Sequence, residues 1–190
     1  MAGASPSFGE VHIVRTLLAL YSGRLGRKAL VRLLGIGEGS VRTILNRLEA
    51  EGRVVSKARG HALSAKGRRI VEGYLGRFTM PVEAHLDVAP GLRCSVVVLR
   101  DAAGLVGSGL REREIAVRAG SDGAVLLKYG GGGLFFPCGD MPVENYPATT
   151  AFLKDKAREG DVVVIGFSES YQRAAEGALA IALNVAKVCA

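Results

Sequence analysis

The chain has 190 residues, of which 48% are hydrophobic and 23% charged, and its formal net charge is +7. No apolar run approaches the roughly 20 residues that a membrane-spanning helix needs. The N-terminus shows no charged start followed by an apolar block, so we expect a cytoplasmic protein without a signal peptide. Cys94, Cys138 and Cys189 are too few and too widely spaced for a disulfide framework or a CxxC metal motif. Asn and Gln are scarce, which favours a thermophilic source.

The positive charge is concentrated in one part of the chain. Residues 1–78 hold 14 Lys and Arg against 5 Asp and Glu, whereas residues 79–190 hold 11 against 13. Such asymmetry is typical of a protein in which one domain meets phosphates and the other does not, although a solvated basic face would give the same balance. We therefore predict two domains, residues 1–78 and residues 79–190.

Three helices are predicted first. Apolar residues recur at helical spacing over Glu10–Tyr21, over Arg27–Leu34 and over a third segment that opens at Gly37 and runs to about Glu51. Gly35 ends the second helix, since glycine tolerates a left-handed turn. The third helix keeps a buried stripe of Val41, Ile44, Leu45 and Leu48.

A hairpin and a fourth helix follow. The alternating segment Arg53–Lys57 predicts a strand, Ala58–His61 a turn and Ala62–Leu63 the returning strand. Ser64 is a good N-cap for a helix over Ala65–Phe78.

This order resembles the winged-helix regulator families. The resemblance rests on Leu34-Gly35-Ile36, on Val41-Arg42, on the run from Leu45 to Val54 and on Leu63-Ser64-Ala65-Lys66-Gly67-Arg68, and it covers about residues 9–78. It implies a winged helix-turn-helix domain that binds double-stranded DNA.

The chemistry of the third helix fits that expectation. Arginine offers a bidentate donor pair to guanine, and asparagine offers a donor and an acceptor to adenine. Side chains off the buried stripe are the predicted DNA contacts: Ser40, Arg42, Thr43, Asn46 and Arg47. The hairpin adds Lys57, Arg59 and His61, which we expect near phosphates or in the minor groove. A solvated helix face, or a wing that contacts protein, is the alternative.

The second half alternates strands with helices in the order ββαββαβα. It predicts an α+β domain of two layers with a mostly antiparallel sheet covered by helices. The predicted elements are strands Met80–Val88 and Leu92–Leu99, helix Leu110–Ala119, strands Ala124–Tyr129 and Leu134–Phe136, a helix to about Glu159, strand Asp161–Phe167 and helix Glu169–Val188.

The whole chain resembles an uncharacterised archaeal family with a winged helix ahead of a small α+β domain of unknown function. Arg113–Ala124 and Gly166-Phe167-Ser168 carry this resemblance. It implies no ligand and no catalytic residue.

Two segments of the second half are candidate ligand sites. Gly107, Ser108 and Arg111 could hold an anion at a helix start, although a tight turn is the plainer interpretation. Ser168 and Glu169 lie where a strand meets a helix, which is a ligand-prone position and also an ordinary N-cap.

The titratable residues show no enzyme-like pattern. His12, His61 and His85 lie on separate elements without metal-ligand spacing, and no nucleophile stands beside a base. We therefore expect no catalytic residue, no metal and no cofactor.

The leading hypothesis is a sequence-specific regulator of transcription that binds double-stranded DNA. Its second domain would sense a small-molecule effector or form a homodimer that reads a roughly palindromic site. The alternative is an enzyme or RNA-associated factor that uses the winged helix as a docking module.

Overall fold

The structure, a computed structural model, describes residues 8–138 and 141–188. The chain divides into two compact units between Tyr74 and Leu75. This division lies just before the predicted boundary at residue 78, because Phe78 is buried and forms a bridge to Leu99, within the second unit.

The first unit begins with the three predicted helices: α1 (Glu10–Ser22), α2 (Arg27–Leu34) and α3 (Glu38–Ala50). Leucine and isoleucine side chains at helical spacing are fully buried between them, and each contributes about 1.5–3 kcal/mol by leaving water. The side chains with no exposed surface include Leu17, Leu30, Leu34, Ile44 and Leu48. Gly35 ends α2 in the left-handed conformation, with φ of 71°, so the turn between α2 and α3 has the predicted chemistry.

A two-stranded hairpin and a fourth helix complete this unit: β1 (Val54–Lys57), β2 (Gly60–Leu63) and α4 (Ala65–Leu75). The backbone N–H of Gly67 donates to the Ser64 hydroxyl over 3.0 Å, so Ser64 is the predicted N-cap. Helix α4 ends earlier than predicted, because its expected last residue, Phe78, belongs to the second unit.

The second unit is built on one six-stranded sheet. Its strands are β3 (Val82–Ala84), β4 (Arg93–Leu99), β5 (Gly123–Gly130), β6 (Gly133–Phe136), β7 (Met141–Pro142) and β8 (Val162–Ser168). They lie in the order β3-β4-β8-β5-β6-β7, and each neighbouring pair is antiparallel. The helices are α5 (Leu110–Arg118), α6 (Pro147–Leu153) and α7 (Tyr171–Val188). The α+β class and the antiparallel sheet are as predicted.

In the second unit three elements differ clearly from the sequence prediction. The first strand stops at Ala84, because the chain then turns inward and buries Leu86 and Ala89. Strand β7, in the proline-rich segment, was not predicted. Helix α6 ends at Leu153 rather than near Glu159, since Lys154 leaves the helical conformation with ψ of 131°.

Helices cover both faces of the sheet, so the second unit has three layers and the predicted two-layer arrangement is wrong. The reason is that β8 carries buried side chains on both of its faces, and each face has to be covered. On one face α7 packs directly on β8, where a Cβ added at Gly166 would lie 2.3 Å from the carbonyl oxygen of Ala174. On the other face Leu153 of α6 joins a buried cluster with Cys94 and Ile165. The start of α6 is fixed by Asp87, whose carboxylate accepts the backbone N–H groups of two residues in its first turn over 2.9 Å each.

The titration of Asp87 reflects this role. Burial opposes its ionisation, but the hydrogen bonds that it accepts from Thr149 and Ala148 outweigh burial and lower its pKa below the ordinary value.

Candidate nucleic-acid interface

The outer face of α3 presents most of the predicted contact residues to solvent. Arg42, Thr43, Asn46 and Arg47 are exposed, and Ser40 is half-buried. Within residues 8–138 and 141–188, neither Arg42 nor Asn46 makes an ion pair or a side-chain hydrogen bond. Thr43 differs, since its hydroxyl donates to the carbonyl oxygen of Gly39 over 3.0 Å.

Arg47 is held by an acidic residue at the end of the same helix. Its Nε donates to Oε1 of Glu51 over 2.9 Å, and Nε of Arg53 lies 2.9 Å from the other carboxylate oxygen. The hydrogen bond from Arg47 is the main reason that the pKa of Glu51 lies below its ordinary value; burial opposes the shift, and the charges of Arg53 and Lys66 add to it. Part of the positive charge of Arg47 is therefore neutralised inside the molecule.

The hairpin presents two exposed cations near its end. Lys57 pairs with Gly60 as the last pair of the ladder, so the loop consists of Ala58 and Arg59 alone. Lys57 and Arg59 are exposed, and neither has an ion pair with any residue that the structure describes. Gly60 has φ of 113° and lies against the backbone of Leu25, where an added Cβ would be 2.7 Å from the carbonyl oxygen.

His61 does not lie at the tip of the hairpin, where the sequence had placed it. It belongs to β2 opposite Ser56, because the strand resumes at Gly60, earlier than expected. Its Nδ1 lies 2.8 Å from the Ser56 hydroxyl and 3.3 Å from Oε1 of Glu49, to which Ser56 also donates. These three residues tie the hairpin to α3, so His61 positions the hairpin.

Sequence reasoning missed this connection and a second group of cations. Glu49 lies near the end of α3, and only the register of the hairpin shows that it meets Ser56 and His61. Arg24, Arg27 and Lys28 are exposed at the start of α2, and the first turn of α2 contains no acidic residue. The helix dipole disfavours cations at a helix start. Cations in a position where they lower local stability indicate another role, and this pattern is visible in the sequence.

The two predicted ligand segments of the second unit differ in their exposure. Gly107, Ser108 and Arg111 are exposed around the start of α5, and Ser108 borders a small cleft of about 170 Å³. Ser168 is buried, and its hydroxyl donates to Oδ2 of Asp122 over 3.0 Å.

At the start of α7 the chain supplies its own anion. The backbone N–H of Glu169 donates to Oδ2 of Asp122 over 3.2 Å, and Arg173 lies 3.0 Å from the other carboxylate oxygen. The polar groups of Ser168 and Glu169 that an anion would use are thus occupied by Asp122.

A larger cleft, of about 640 Å³, lies between the β5–β6 hairpin and α6. Leu134, Val143 and Leu153 give it an apolar floor, and its lining also includes the Tyr129 and Thr150 side chains. Its volume falls within the range of about 300–1,000 Å³ that is usual for small-molecule sites.

The described residues contain neither a cluster of metal ligands nor a helix suited to a membrane. No group of three or more His, Cys, Asp and Glu side chains in residues 8–138 and 141–188 could hold a metal ion. None of the helices in the described part of the chain is long and apolar enough to cross a membrane.

Each unit is similar to a known family of domains. Residues 10–69 match the family described as "PH0730-like, N-terminal domain", and residues 91–185 match "Domain of unknown function (DUF4443)". No curated protein matches the chain.

Two of the matching solved structures align with nearly the full length of the chain. The hypothetical protein PH0730 from Pyrococcus horikoshii OT3 is 27% identical, with a TM-score of 0.82 and coverage of 95% of both chains. An IclR transcriptional regulator from Alicyclobacillus acidocaldarius is 14% identical over 94% of this chain and 96% of its own, but its TM-score of 0.31 is too low to support any argument. Since the second match covers half of its 190 residues, the chain belongs to the DUF4443 family of domains of unknown function.

Proposed function

We propose that the chain is a transcription regulator that binds double-stranded DNA through its first unit. In this proposal the unit is a winged helix-turn-helix, α3 is the recognition helix and the β1–β2 hairpin is the wing. The observation that carries the proposal is the exposed face of α3, where Arg42 and Asn46 stand unpaired among the described residues while a cationic hairpin is fixed to the same helix.

The dimensions of α3 suit a major groove. Its 13 residues span about 20 Å at about 1.5 Å per residue, and the groove admits one helix. Arg42 would read guanine and Asn46 adenine through paired hydrogen bonds, because each side chain carries the matching donors and acceptors. Ser40 and Thr43 would contact phosphates or base edges.

Four other cations would hold the backbone of the duplex. Lys57 and Arg59 of the wing, together with Arg27 and Lys28 of α2, are exposed in the first unit. Arg27 is paired only loosely, since its guanidinium lies 3.4 Å from an exposed Glu38 carboxylate. Four phosphate contacts would give a log–log salt slope of about −3.6, at about −0.9 for each contact.

The test is an anisotropy titration of the full chain against labelled duplex DNA over a range of salt concentrations. We expect affinity to fall steeply with salt, and Arg59→Ala to flatten the slope by about one unit. Arg111→Ala, which removes an exposed cation from the second unit, serves as the matched control and should leave the slope unchanged. Binding that ignores salt, or that is absent at low salt, contradicts the proposal.

The same titration against double-stranded RNA decides the alternative hypothesis of an RNA-associated factor. A major groove in A-form RNA is too deep and narrow for a helix to read, so a recognition helix predicts preference for DNA. Tighter binding to RNA would favour the alternative.

We also propose that the cleft of the second unit receives a small-molecule effector. Gly133 lines this cleft, yet it has an ordinary φ and open space where a Cβ would stand, so the fold itself does not require glycine there. A glycine of this kind allows close approach of a ligand to the backbone. Filling the cleft with Ala151→Trp should abolish the thermal shift caused by a ligand found in a metabolite screen, and a ligand that still binds this variant excludes the cleft.

A further inference from the structure

Helix α5 places two large apolar side chains in solvent on one face. Leu110 is 68% exposed and Val117 is 50% exposed, the two highest values among the large hydrophobic residues that the structure describes as exposed. They are seven residues apart, which is close to two turns at about 3.6 residues per turn, so they share one face. The opposite face of α5 buries Glu112 and Ala116.

The same exposed face carries two opposite charges between these apolar residues. Arg113 and Glu114 are exposed, and they occupy the turn between Leu110 and Val117. Arg113 forms no ion pair with any residue in the described ranges 8–138 and 141–188. Glu114 lies 3.3 Å from Arg118, but these side chains are 68% and 79% exposed, and such a pair is worth little. We call the face formed by Leu110, Arg113, Glu114 and Val117 the α5 stripe.

Arg113 and Glu114 lie on opposite sides of the line that joins Leu110 to Val117 on the helix surface. Two copies of α5 packed parallel about a twofold axis that runs along the helices would set each apolar residue against its own copy and bring Arg113 of each copy to Glu114 of the other. An antiparallel pair would instead set Arg113 against Arg113 and Glu114 against Glu114, which is unfavourable. Self-complementarity under a twofold axis is what an isologous dimer interface requires.

We propose that the α5 stripe is the surface through which two copies of this chain form a dimer. The need for a second copy rests on the proposed function, since a dimer reads two half-sites about 34 Å apart. The nine residues of α5 make a contact smaller than a standard interface of about 1,600 Å². The free chain therefore dimerises weakly, and two copies held on one duplex dimerise at a high effective concentration.

The experiment uses charge reversal in the full chain. Arg113→Glu alone, or Glu114→Arg alone, creates like charges at both central contacts of a twofold dimer, so each variant should remain monomeric in sedimentation from micromolar to submillimolar concentration. An equimolar mixture of the two variants has opposite charges at both contacts and should dimerise like the wild type. The double variant, which exchanges the two charges, should dimerise as well.

Arg111→Glu is the matched control, because it reverses an exposed charge on the same helix about 100° around the axis from Leu110, farther than Arg113 or Glu114. It should leave the dimer intact, and circular dichroism should show the same fold for every variant. Single variants that dimerise like the wild type, or a mixture that stays monomeric, would overturn the proposal. So would a wild type that is monomeric at every concentration and binds two half-sites without cooperativity.

Binding to a duplex with one half-site separates this inference from the proposed function. That affinity depends on the first unit alone, so the charge variants should not change it. If the wild-type protein fails to bind DNA but the single variants dimerise only when they are mixed, the proposed dimer surface is supported and the proposed function is contradicted.

Discussion

Glu51→Gln should increase the affinity of the protein for DNA. In the native chain the Glu51 carboxylate holds Arg47 at 2.9 Å and lies 2.9 Å from Arg53. The glutamine keeps the shape of the side chain but removes the charge, and Arg47 on the outer face of α3 becomes available to a phosphate.

The expected size follows from the exposure of this pair and from counterion release. The side chains of Arg47 and Glu51 are 59% and 29% exposed, and pairs of this kind on a helix are worth about 0.3–0.5 kcal/mol. Folding therefore loses little. One additional phosphate contact changes the log–log salt slope by about 0.9, which is a factor of about 3.5 over a fourfold change in salt.

The assay compares both proteins by anisotropy at several salt concentrations. The variant should bind more tightly at low salt, and its advantage should shrink by about 3.5-fold between about 50 and 200 mM. Glu72→Gln removes the same charge from α4 and controls for net charge, and most of the gain should vanish when Arg47→Ala is combined with Glu51→Gln. Unchanged or weaker binding of Glu51→Gln would refute the assignment of Arg47 to the interface.

Three further outcomes test other parts of the structure. Arg42→Ala should weaken the binding free energy by about 1–3 kcal/mol on a selected duplex only, whereas Arg59→Ala should weaken binding to selected and scrambled duplexes alike. Equal losses of affinity on both duplexes for both variants would contradict this division. Gly67→Ala should lower the denaturation midpoint, because a Cβ there would lie 2.0 Å from the Arg53 carbonyl oxygen, and an unchanged midpoint would show that α4 shifts freely. Asp87→Asn should lower the melting temperature at neutral pH. Because the native pKa of Asp87 is lowered, the difference in melting temperature should begin to shrink as pH falls below the ordinary pKa of an aspartate and should vanish only below the lowered native pKa. A difference that persists in stronger acid would mean that the loss comes from packing.

The sequence predicted the helices of the first unit well because their signals are local. Glycine stops, an amphipathic stripe and the Ser64 cap all act within a few residues, and the structure has each of them in place. The end of α4 was wrong for the opposite reason. Phe78 continues the apolar pattern of the helix, but its contacts are with strand β4, far along the chain.

The β1–β2 hairpin was harder to place than the helices because its register depends on one residue. A glycine in the sequence indicates a hairpin turn, but it does not determine whether the glycine lies in the loop or in a strand. In the structure Gly60 is the first residue of the returning strand. That shift moved His61 from the tip to a position beside Ser56 and Glu49. The cations of the tip, Lys57 and Arg59, kept their predicted exposure because neither depends on this pairing.

Net charge was informative in one unit and uninformative in the other for a physical reason. In the second unit buried or half-buried carboxylates stabilise the fold, since Asp87 caps α6 and Asp161 pairs with Arg100. Those carboxylates are paired with other groups of the same unit. The net charge of the second unit, which is near zero, therefore says nothing about its ligands. In the first unit Arg42 and Arg59 lack such partners among the described residues. Charge that folding leaves unpaired is the charge that a binding partner can use, and in the first unit it lies along α3, on the hairpin and at the start of α2.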